Sequence, residues 1–508
     1  MRTATTRVRL KGTDYYVAAP ATPMPASMNA AAPEAAPAAH RGASTGRRLG
    51  NWRPTGAGPN AIVAASGPEL VRRSRDLSRN NLHGRHALGL YQTHIVGTGI
   101  KPVSLCSDAA TRDRIHALWE EWVDVADADG NLDFYGLQTQ AVGEMVEGGE
   151  AFGRLRARRA DDGLPVPLQI QIIPTEQVPL HHATSYAGNT VLQGIERDQL
   201  GRRVAYWMHR AHPGDLTGPA FDLGQLSRVD AADVFHLRLA PAGQLRGLPW
   251  LAVAVATLHQ LGDWKDAGLL RKQLIASLVG FVRRAIAQDA SMEDLAQMWK
   301  DVEKGLYGDT EVTLEPGTMQ YLMPGEEVEF TQWQETSGAD EVFERSSLRS
   351  VAAGLDLIYE ELSGDWNGVN DRTYRAAFAT FKRRMRQHQH QLVGYQFCRP
   401  VWLRWITAAV ASGALAVPAG MSLRDLQKVE WRPERWEYLN PKQDIEADLM
   451  EIEGGLASRQ GKINDRGDSA DTVDEQRAAD RDREERLKLP PPTRSKTPAP
   501  APQPEADQ

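Results

Sequence analysis

Residues 371 to 411, DRTYRAAFATFKRRMRQHQHQLVGYQFCRPVWLRWITAAVA, decide the fold. Aromatic, apolar and histidine side chains recur there at alternating intervals of four and three residues, at Tyr374, Phe378, Phe381, Met385, His388, Leu392 and Tyr395. This heptad-like stripe predicts one long helix that packs against partner helices. Pro400 has no N–H to donate to the helix, so we expect a kink there.

The same helix carries a basic cluster, which consists of Lys382, Arg383, Arg384 and Arg386. Because the stripe meets the partner helices, these side chains should point towards solvent, the acids of a neighbour or a passing polyanion. A solvated helix face is the simplest of these interpretations.

The chain is rich in tryptophan, with 13 tryptophans against 10 phenylalanines. Two pairs have members three residues apart, Trp119 with Trp122 and Trp402 with Trp405. Residues at this spacing share a helix face, so each pair should be buried together. We predict that these rings belong to the core and not to a surface on which nucleic acid bases stack.

Before the long helix, the first half of the chain mixes helix and strand. Helical periodicity covers residues 68 to 95, opened by Pro68 and Glu69, and residues 108 to 124. Segments of strand composition, separated by Gly, Pro and Asp, lie at 166–174, 203–209 and 233–239. This half is therefore predicted to be α+β.

The second half is mainly helical. Leucine and valine recur along one side of residues 249 to 282 and predict a long helix. Residues 311 to 332 contain two Pro-Gly pairs and predict two or three short strands with tight turns. A helix over 338 to 357 and the break SGDWNGVN at 363 to 370 then lead into the long helix.

Both ends of the chain have compositions that do not support a packed core. Between Ala18 and Ala39, 16 of 22 residues are Ala or Pro, which predicts a disordered leader over residues 1 to 55. Residues 474 to 488 mix acids and bases and predict a solvated helix or a charged tail. The Pro-rich residues 490 to 508 predict a disordered tail.

Length and charge limit the class of protein. The 508 residues suffice for about three domains and a sizeable core. A formal charge of −7 argues against tight binding of nucleic acid through many phosphate contacts, because such binding needs a basic surface.

Two cysteines, Cys106 and Cys398, are too few for a disulfide framework and indicate a reducing compartment. The longest apolar stretches fall well short of the ~20 residues that span a bilayer, so we expect no membrane segment.

Residue patterns that carry enzyme chemistry are missing from the sequence. It has no G-x-x-x-x-G-K-[ST] loop for a nucleotide and no H-E-x-x-H zinc motif. The single G-x-S-x-G, at Gly42 to Gly46, lies in the predicted leader without the strand and helix that a nucleophile elbow needs. The run DADG at 127 to 130 lacks the outer ligands of a calcium loop and is interpreted as a turn. We therefore predict no catalytic residues, no metal site and no cofactor.

Several segments occur in an order that carries a family resemblance. They include SRNNLHGRHALGLYQTHIVGTGIKP (78–102), LWEEWVDVADADGNLDFYGLQ (118–138), MVEGGEAFGRLRARR (145–159), LRSVAAGLDLIYEELSGDWNGVN (348–370) and QFCRPVWLRW (396–405). Over about residues 60 to 470 the chain resembles the phage portal proteins of the lambda family. No single segment is a strong motif, but this many in one order are hard to obtain by chance.

This resemblance implies a non-enzymatic protein that forms a ring, usually of twelve copies, at one vertex of a phage capsid. Double-stranded DNA would pass through the ring during packaging and ejection, without regard to sequence. The implied partners are other copies of the chain, the terminase large subunit, the major capsid and scaffold proteins and the head-tail joining proteins, with no membrane. The implied location is the virion, with the host cytoplasm during assembly.

The implied fold is α+β and of portal type. It has a mixed α/β wing, long stem helices, a small α/β clip, a kinked long helix and a helical C-terminal crown. In chain order the expected segments are wing 56–248, stem helix 249–282, clip 283–336, second stem helix 337–361, tunnel loop 362–373, long kinked helix with the remaining wing 374–439, and crown 440–489.

The resemblance also implies which residues meet DNA. Candidates in the tunnel loop are Asp365, Trp366, Asn367, Asn370, Asp371 and Arg372. Family members often read Asn-Tyr-Ser-Ser where this chain has Asn370, Asp371, Arg372 and Thr373. The basic cluster would contact DNA or a neighbouring subunit, and the residues alone do not choose between the two.

Two alternatives of other classes remain. One is a monomeric adaptor or scaffold protein of the capsid that forms no channel, and ring formation distinguishes it from a portal. The other is a DNA-processing enzyme of the packaging system. Such an enzyme would need a nucleotide loop or paired metal-binding acids, and the sequence shows neither pattern.

Overall fold

The predicted leader contains two short strands in the computed structural model. The structure describes residues 51, 53–215, 225–277, 338–437, 440–467 and 470–489, with short pieces at 7–9, 16–18, 281–284, 291–293, 296–297, 300 and 326–329. The chain divides into two units, Met1–Gly58 and Pro59–Gln508. In the first unit, β1 (Arg7–Arg9) pairs antiparallel with β2 (Tyr16–Ala18). The rest of the leader as far as residue 50, and the predicted tail, lie outside the described residues.

The second unit begins with two helices where the sequence predicts one. Helix α1 (Pro59–Asn80) and helix α2 (Leu82–Ile95) are separated by Asn81, whose side chain accepts two backbone N–H groups of the first turn of α2. Pro68, expected to open the helix, lies inside α1. Apolar periodicity continues across the break because a single capping residue does not change the spacing of the residues around it.

The first half is α+β, as predicted. Two helices follow, α3 (Ala109–Val123), which confirms the helix predicted at 108 to 124, and α4 (Phe134–Gly148). The strands are β3 (Lys101–Ser104), β4 (Glu150–Ala157), β5 (Leu168–Ile173), β6 (Thr184–Tyr186), β7 (Asn189–Leu192), β8 (Ile195–Arg197), β9 (Arg203–Met208), β10 (Ser227–Asp230) and β11 (Val234–Arg238). The strands predicted at 166–174, 203–209 and 233–239 are confirmed as β5, β9 and β11.

The strands form two main antiparallel sheets. One has the order β11-β4-β5, and the other is a meander in the order β10-β9-β8-β7-β6. One face of the three-stranded sheet, with Leu155, Ile170 and Leu237, packs into the main core, whereas Phe152 and Ile173 on the other face contribute to a smaller cluster. Strand β4 is therefore central to both cores.

The helix predicted over 249 to 282 is shorter than expected. Helix α5 spans Val255–Ser277, and β12 begins at Phe281 and runs to Arg284. Strand β12 pairs antiparallel with β13 (Glu326–Glu329). The expected end of the helix is wrong because pairing with a strand far along the chain outweighs local helical spacing. Of the strands predicted at 311 to 332, those outside β13 lie beyond the described residues.

The helix predicted over 371 to 411 is confirmed along its whole length. Helices α6 (Ala339–Gly354) and α7 (Tyr359–Ser363) precede it. It consists of α8 (Asp371–His388), a π-helical segment (Gln389–Cys398) and α9 (Arg399–Ala411). The remaining elements are α10 (Leu423–Leu426), β14 (Val429–Arg432, paired with β3), α11 (Pro441–Glu453), α12 (Arg459–Asp465) and α13 (Ala470–Leu487).

Directly before Pro400, where the sequence predicts a kink, the helix changes to the π-helical segment. The N–H of Arg399 donates to the carbonyl of Gly394, five residues back. A proline ring clashes with the carbonyl four residues back, and the wider π turn relieves that clash. The change of pitch also rotates the stripe, so that Tyr395 is 60% exposed and Phe397 is buried in its place. The stripe prediction is wrong at Tyr395 because it assumes α-helical pitch throughout.

The four tryptophans lie in one buried cluster. The rings of Trp119 and Trp122 on α3 are 5.0 Å apart, and those of Trp402 and Trp405 on α9 are 5.5 Å apart. Trp119 lies 5.1 Å from both Trp402 and Trp405. All four are fully buried, so the prediction that they form core is confirmed.

A buried charge network lies at the start of β4. The Glu150 carboxylate accepts from Arg246 Nε at 2.6 Å and from His236 Nε2 at 2.7 Å, and all three residues are buried. Burial alone would raise the pKa of Glu150, but the charge of Arg246 and the hydrogen bond from His236 lower it to about 2. Burial lowers the pKa of His236 to about 4 in spite of Glu150. His236 is therefore a neutral imidazole that donates a hydrogen bond to the ionised carboxylate of Glu150.

We expect Gly153→Ala to destabilise the protein. A Cβ at this position would lie 1.9 Å from the ring of Phe235, which is itself wedged against Phe397. Overpacking of this kind lowers the free energy of unfolding by about 1 to 3 kcal/mol, and denaturant unfolding measures the change. Gly89→Ala in α2 is the matched control, because nothing lies within 4 Å of its added Cβ. It should be neutral or stabilise by about 0.5 to 1 kcal/mol, and equal stability of the two variants would contradict this packing.

The free energy of unfolding should fall as the pH is lowered from about 6.5 to about 4. Over this range the unfolded chain protonates His236, whose ordinary pKa is 6.5, whereas the folded chain keeps it neutral. His236→Gln should make the dependence on pH less steep, and His390→Gln, at an exposed histidine, should leave it unchanged. Thermal unfolding across this pH range gives the measurement. The same slope in wild type and His236→Gln would refute the assignment.

Candidate nucleic-acid interface

The candidate loop, residues 364 to 370, joins α7 to α8. Gly364 and Gly368 adopt left-handed conformations, with φ of +70° and +73°, and a Cβ at either would touch nothing. The N–H of Gly364 donates to the carbonyl of Glu360 at 2.9 Å and ends α7. Glycine fits both positions because a side chain would strain this backbone conformation.

Asp365 lies at the base of the loop with its carboxylate engaged by the protein. It accepts from Tyr359 Oη at 3.1 Å, from Arg345 Nη2 at 3.0 Å and from the N–H of Asn367 at 3.1 Å. The N–H of Asn367, together with Tyr359 and Arg345, holds the pKa of Asp365 below its ordinary value. This candidate residue therefore anchors the loop.

Asn370 and Asp371 begin helix α8. The side chain of Asn370 accepts the N–H of Arg372 at 2.9 Å, which caps the helix. Asp371 pairs with Arg375 one turn later at 3.0 Å. Both of these candidate residues have local structural roles, as expected for polar side chains at a helix start.

Three of the candidate residues are exposed with no hydrogen bond or ion pair from their side chains to the described part of the chain: Trp366, Asn367 and Arg372. The side chain of Trp366 is 52% exposed, and one edge meets the ring of Tyr374 at 5.5 Å. The loop thus presents an aromatic ring, an amide and a guanidinium to whatever passes it.

A second anchor fixes the far side of the loop. Glu361 accepts from Tyr374 Oη at 2.9 Å and from His94 Nε2 at 3.0 Å, which ties α7, α8 and α2 together. Burial, followed by the charge of Glu361, raises the pKa of Tyr374. The ring of His94 stacks on Trp436 at 5.6 Å. Sequence reasoning missed Glu361 and His94, because no local pattern links residues so far apart in the chain.

The basic cluster on α8 divides into two kinds of residue. Lys382 lies over the rings of Phe378, at 4.6 Å, and Trp436, at 5.7 Å, and burial lowers its pKa. Arg384 pairs with Asp356 at 2.6 Å. Arg383 and Arg386 are exposed. The expectation that all four point away from the stripe is wrong for Lys382, because its ammonium packs on an aromatic ring of the stripe itself.

Other predicted features have local explanations. The carboxylate of Asp127 accepts the N–H groups of Asp129, Asn131 and Leu132, so the DADG run is a turn, as predicted. Within the described ranges, no three His, Cys, Asp or Glu residues cluster as metal ligands do. No described helix combines the length and apolar character needed to cross a membrane. The G-x-S-x-G at 42 to 46 lies outside the described residues.

Comparison with known proteins identifies relatives across most of the chain. Residues 45–389 match the profile of the phage portal proteins of the lambda family. The probable portal protein of Halomonas phage phiHAP-1 is 24% identical over 426 residues, which cover 81% of this chain and 79% of the relative. Portal protein B of Escherichia phage lambda is 21% identical over 482 residues, which cover 86% of this chain and 87% of the relative.

Solved structures with a similar fold share less sequence with this chain than these relatives do. The neck of an empty gene transfer agent particle is 15% identical, covers 84% of this chain and 99% of its own, and has a TM-score of 0.44. A portal protein of the HK97 family from Corynebacterium diphtheriae is 13% identical, covers 64% of this chain and 86% of its own, and has a TM-score of 0.28.

The family profile matches well over half of the chain, and the similar relatives from three phages are all named portal proteins. These relatives are structural proteins of a family not known to be enzymatic. The chain therefore belongs to the lambda family of phage portal proteins.

Proposed function

We propose that twelve copies of the chain form a ring at one vertex of a phage capsid, and that double-stranded DNA passes through this ring during packaging and ejection. The terminase large subunit, the major capsid and scaffold proteins and the head-tail joining proteins are its proposed partners. Membership of the family supports the role of a portal. The proposed location is the virion, after assembly in the host cytoplasm.

The loop at 364 to 370 carries the proposal of a channel contact. It is anchored at one side by Asp365 and at the other by the bond between Tyr374 and Glu361, and it exposes Trp366, Asn367 and Arg372 between these anchors. A tethered loop with an exposed tip contacts a moving polymer without being displaced. The guanidinium and the amide can bond to backbone phosphates, and such contacts position a duplex without reading its sequence.

The net charge suits conduction. At −7 per chain, a ring repels the duplex overall and confines attraction to a few cationic points such as Arg372 and Arg383. Deep electrostatic binding, which would hold DNA in place, is thereby avoided.

We assign the wing, stem, clip, tunnel loop and crown to the segments given by the family resemblance.

The oligomeric state should be a closed ring of about twelve chains, since a heterologous contact with a suitable rotation closes into a ring. Mass measurement of the full-length protein in native buffer, with negative-stain imaging of end-on views, tests this. A central hole in a ring of that mass is the expected result. A stable monomer at every salt concentration would contradict the proposal and favour a capsid adaptor.

Trp366→Ala should leave the ring intact and reduce packaging of DNA. Because the indole of Trp366 is half exposed and its aromatic contact among the described residues is with Tyr374, its removal should barely change thermal stability. Tyr395→Ala is the control, since it removes an aromatic ring of similar exposure from the π-helical segment, outside the loop. The yield of DNA-filled particles should fall several-fold for Trp366→Ala alone. Wild-type packaging by Trp366→Ala would exclude the loop from DNA contact.

A further inference from the structure

Three arginines form a row on one face of β4 and its extension, at Arg154, Arg156 and Arg158. Alternate residues of a strand share a face, so neighbouring members of the row are separated by about 6.8 Å along the strand. Antiparallel pairing places Arg154 opposite Gln171 and Arg156 opposite Gln169 on β5. All three arginines are partly exposed. We call this surface the arginine row.

Glutamines orient two members of the arginine row. Arg156 Nε donates to Gln171 Oε1 at 2.8 Å, and Arg158 Nε donates to Gln169 Oε1 at 2.8 Å. Gln169 is itself held, because its Nε2 donates to the carbonyls of Val125 and Asp127 at 2.9 Å. A neutral amide fixes the direction of a guanidinium but leaves its charge uncompensated.

The arginine row makes no ion pair with any described residue. Asp129 is the acid that partly offsets the repulsion at Arg156, without a direct bond. A guanidinium has five N–H donors, and Arg158 uses one of them on its glutamine. Adjacent like charges cost stability, and a bound anion would remove this cost. The fixed guanidiniums also lose little entropy when they bind.

We propose that the arginine row binds the phosphate backbone of a nucleic acid, at a contact separate from the proposed channel. A planar guanidinium fork matches a phosphate in shape as well as in charge. The row repeats a positive charge every ~6.8 Å, and a nucleic-acid backbone is a polyanion with regularly repeated charges. An acidic protein surface is the competing occupant, and it has no such fixed repeat.

Binding of a covalently closed DNA circle to the full-length protein tests this proposal, because a closed circle cannot thread a ring. The affinity is measured against NaCl concentration. Arg154→Gln/Arg156→Gln/Arg158→Gln should weaken binding and reduce the log–log salt slope by about 2 to 3 for each copy engaged. Arg72→Gln/Arg73→Gln/Arg79→Gln removes the same charge from α1, where Arg72 and Arg73 already pair with Glu69, and should keep the wild-type slope.

A gentler variant guards against misfolding of the triple mutant. Gln171→Glu keeps every arginine and places a carboxylate against Arg156, so it should reduce the slope by about 1 without lowering thermal stability. Equal slopes in all variants, or equal losses in both triple variants, would overturn the proposal. The proposal would also fail if the triple variant of the arginine row weakened binding of a polyglutamate peptide but not of the DNA circle. That result would identify an acidic protein as the occupant. None of these outcomes depends on whether the chain forms a ring.

Discussion

The packing of Trp119 and Trp122 against Trp402 and Trp405 is the contact on which the rest of the structure depends. Large rings bury much apolar area and give directional ring–ring contacts, so this cluster joins α3 to α9 strongly. The C-terminal third of the long helix is thereby fixed in the core. The other end of the same helix begins at the candidate loop, so the tryptophan cluster also sets where that loop stands.

Strand β4 shows how one element serves two purposes. At its buried end Glu150 is compensated by Arg246 and His236, as a charge inside a protein must be. Towards its open end the same face carries the arginine row, whose charges no described acid pairs. The difference follows from solvent, because an uncompensated charge is tolerable where water reaches it and prohibitively costly where it does not.

The loop at 364 to 370 combines order at its base with exposure at its tip. Its anchors involve Tyr359, Glu361 and Tyr374 from the flanking helices and His94 and Arg345 from elements further away. Several hydrogen bonds of ordinary length together hold the loop in position. The exposed tip therefore differs from its base in chemistry, since the side chains of Trp366, Asn367 and Arg372 make no hydrogen bond or ion pair with the described part of the chain.

Local sequence determined much of this protein: the helix at 371 to 411, the strands β5, β9 and β11, the burial of four tryptophans and the family to which the chain belongs. These depend on spacing and composition, which a sequence displays directly. Only the tertiary structure decided that Tyr395 turns outward, that the helix after residue 249 stops short of β12, and that the carboxylate of Asp365 anchors the loop. The physical reason is that these outcomes rest on contacts between residues distant in the chain and on the pitch of a helix, and neither leaves a periodic signal.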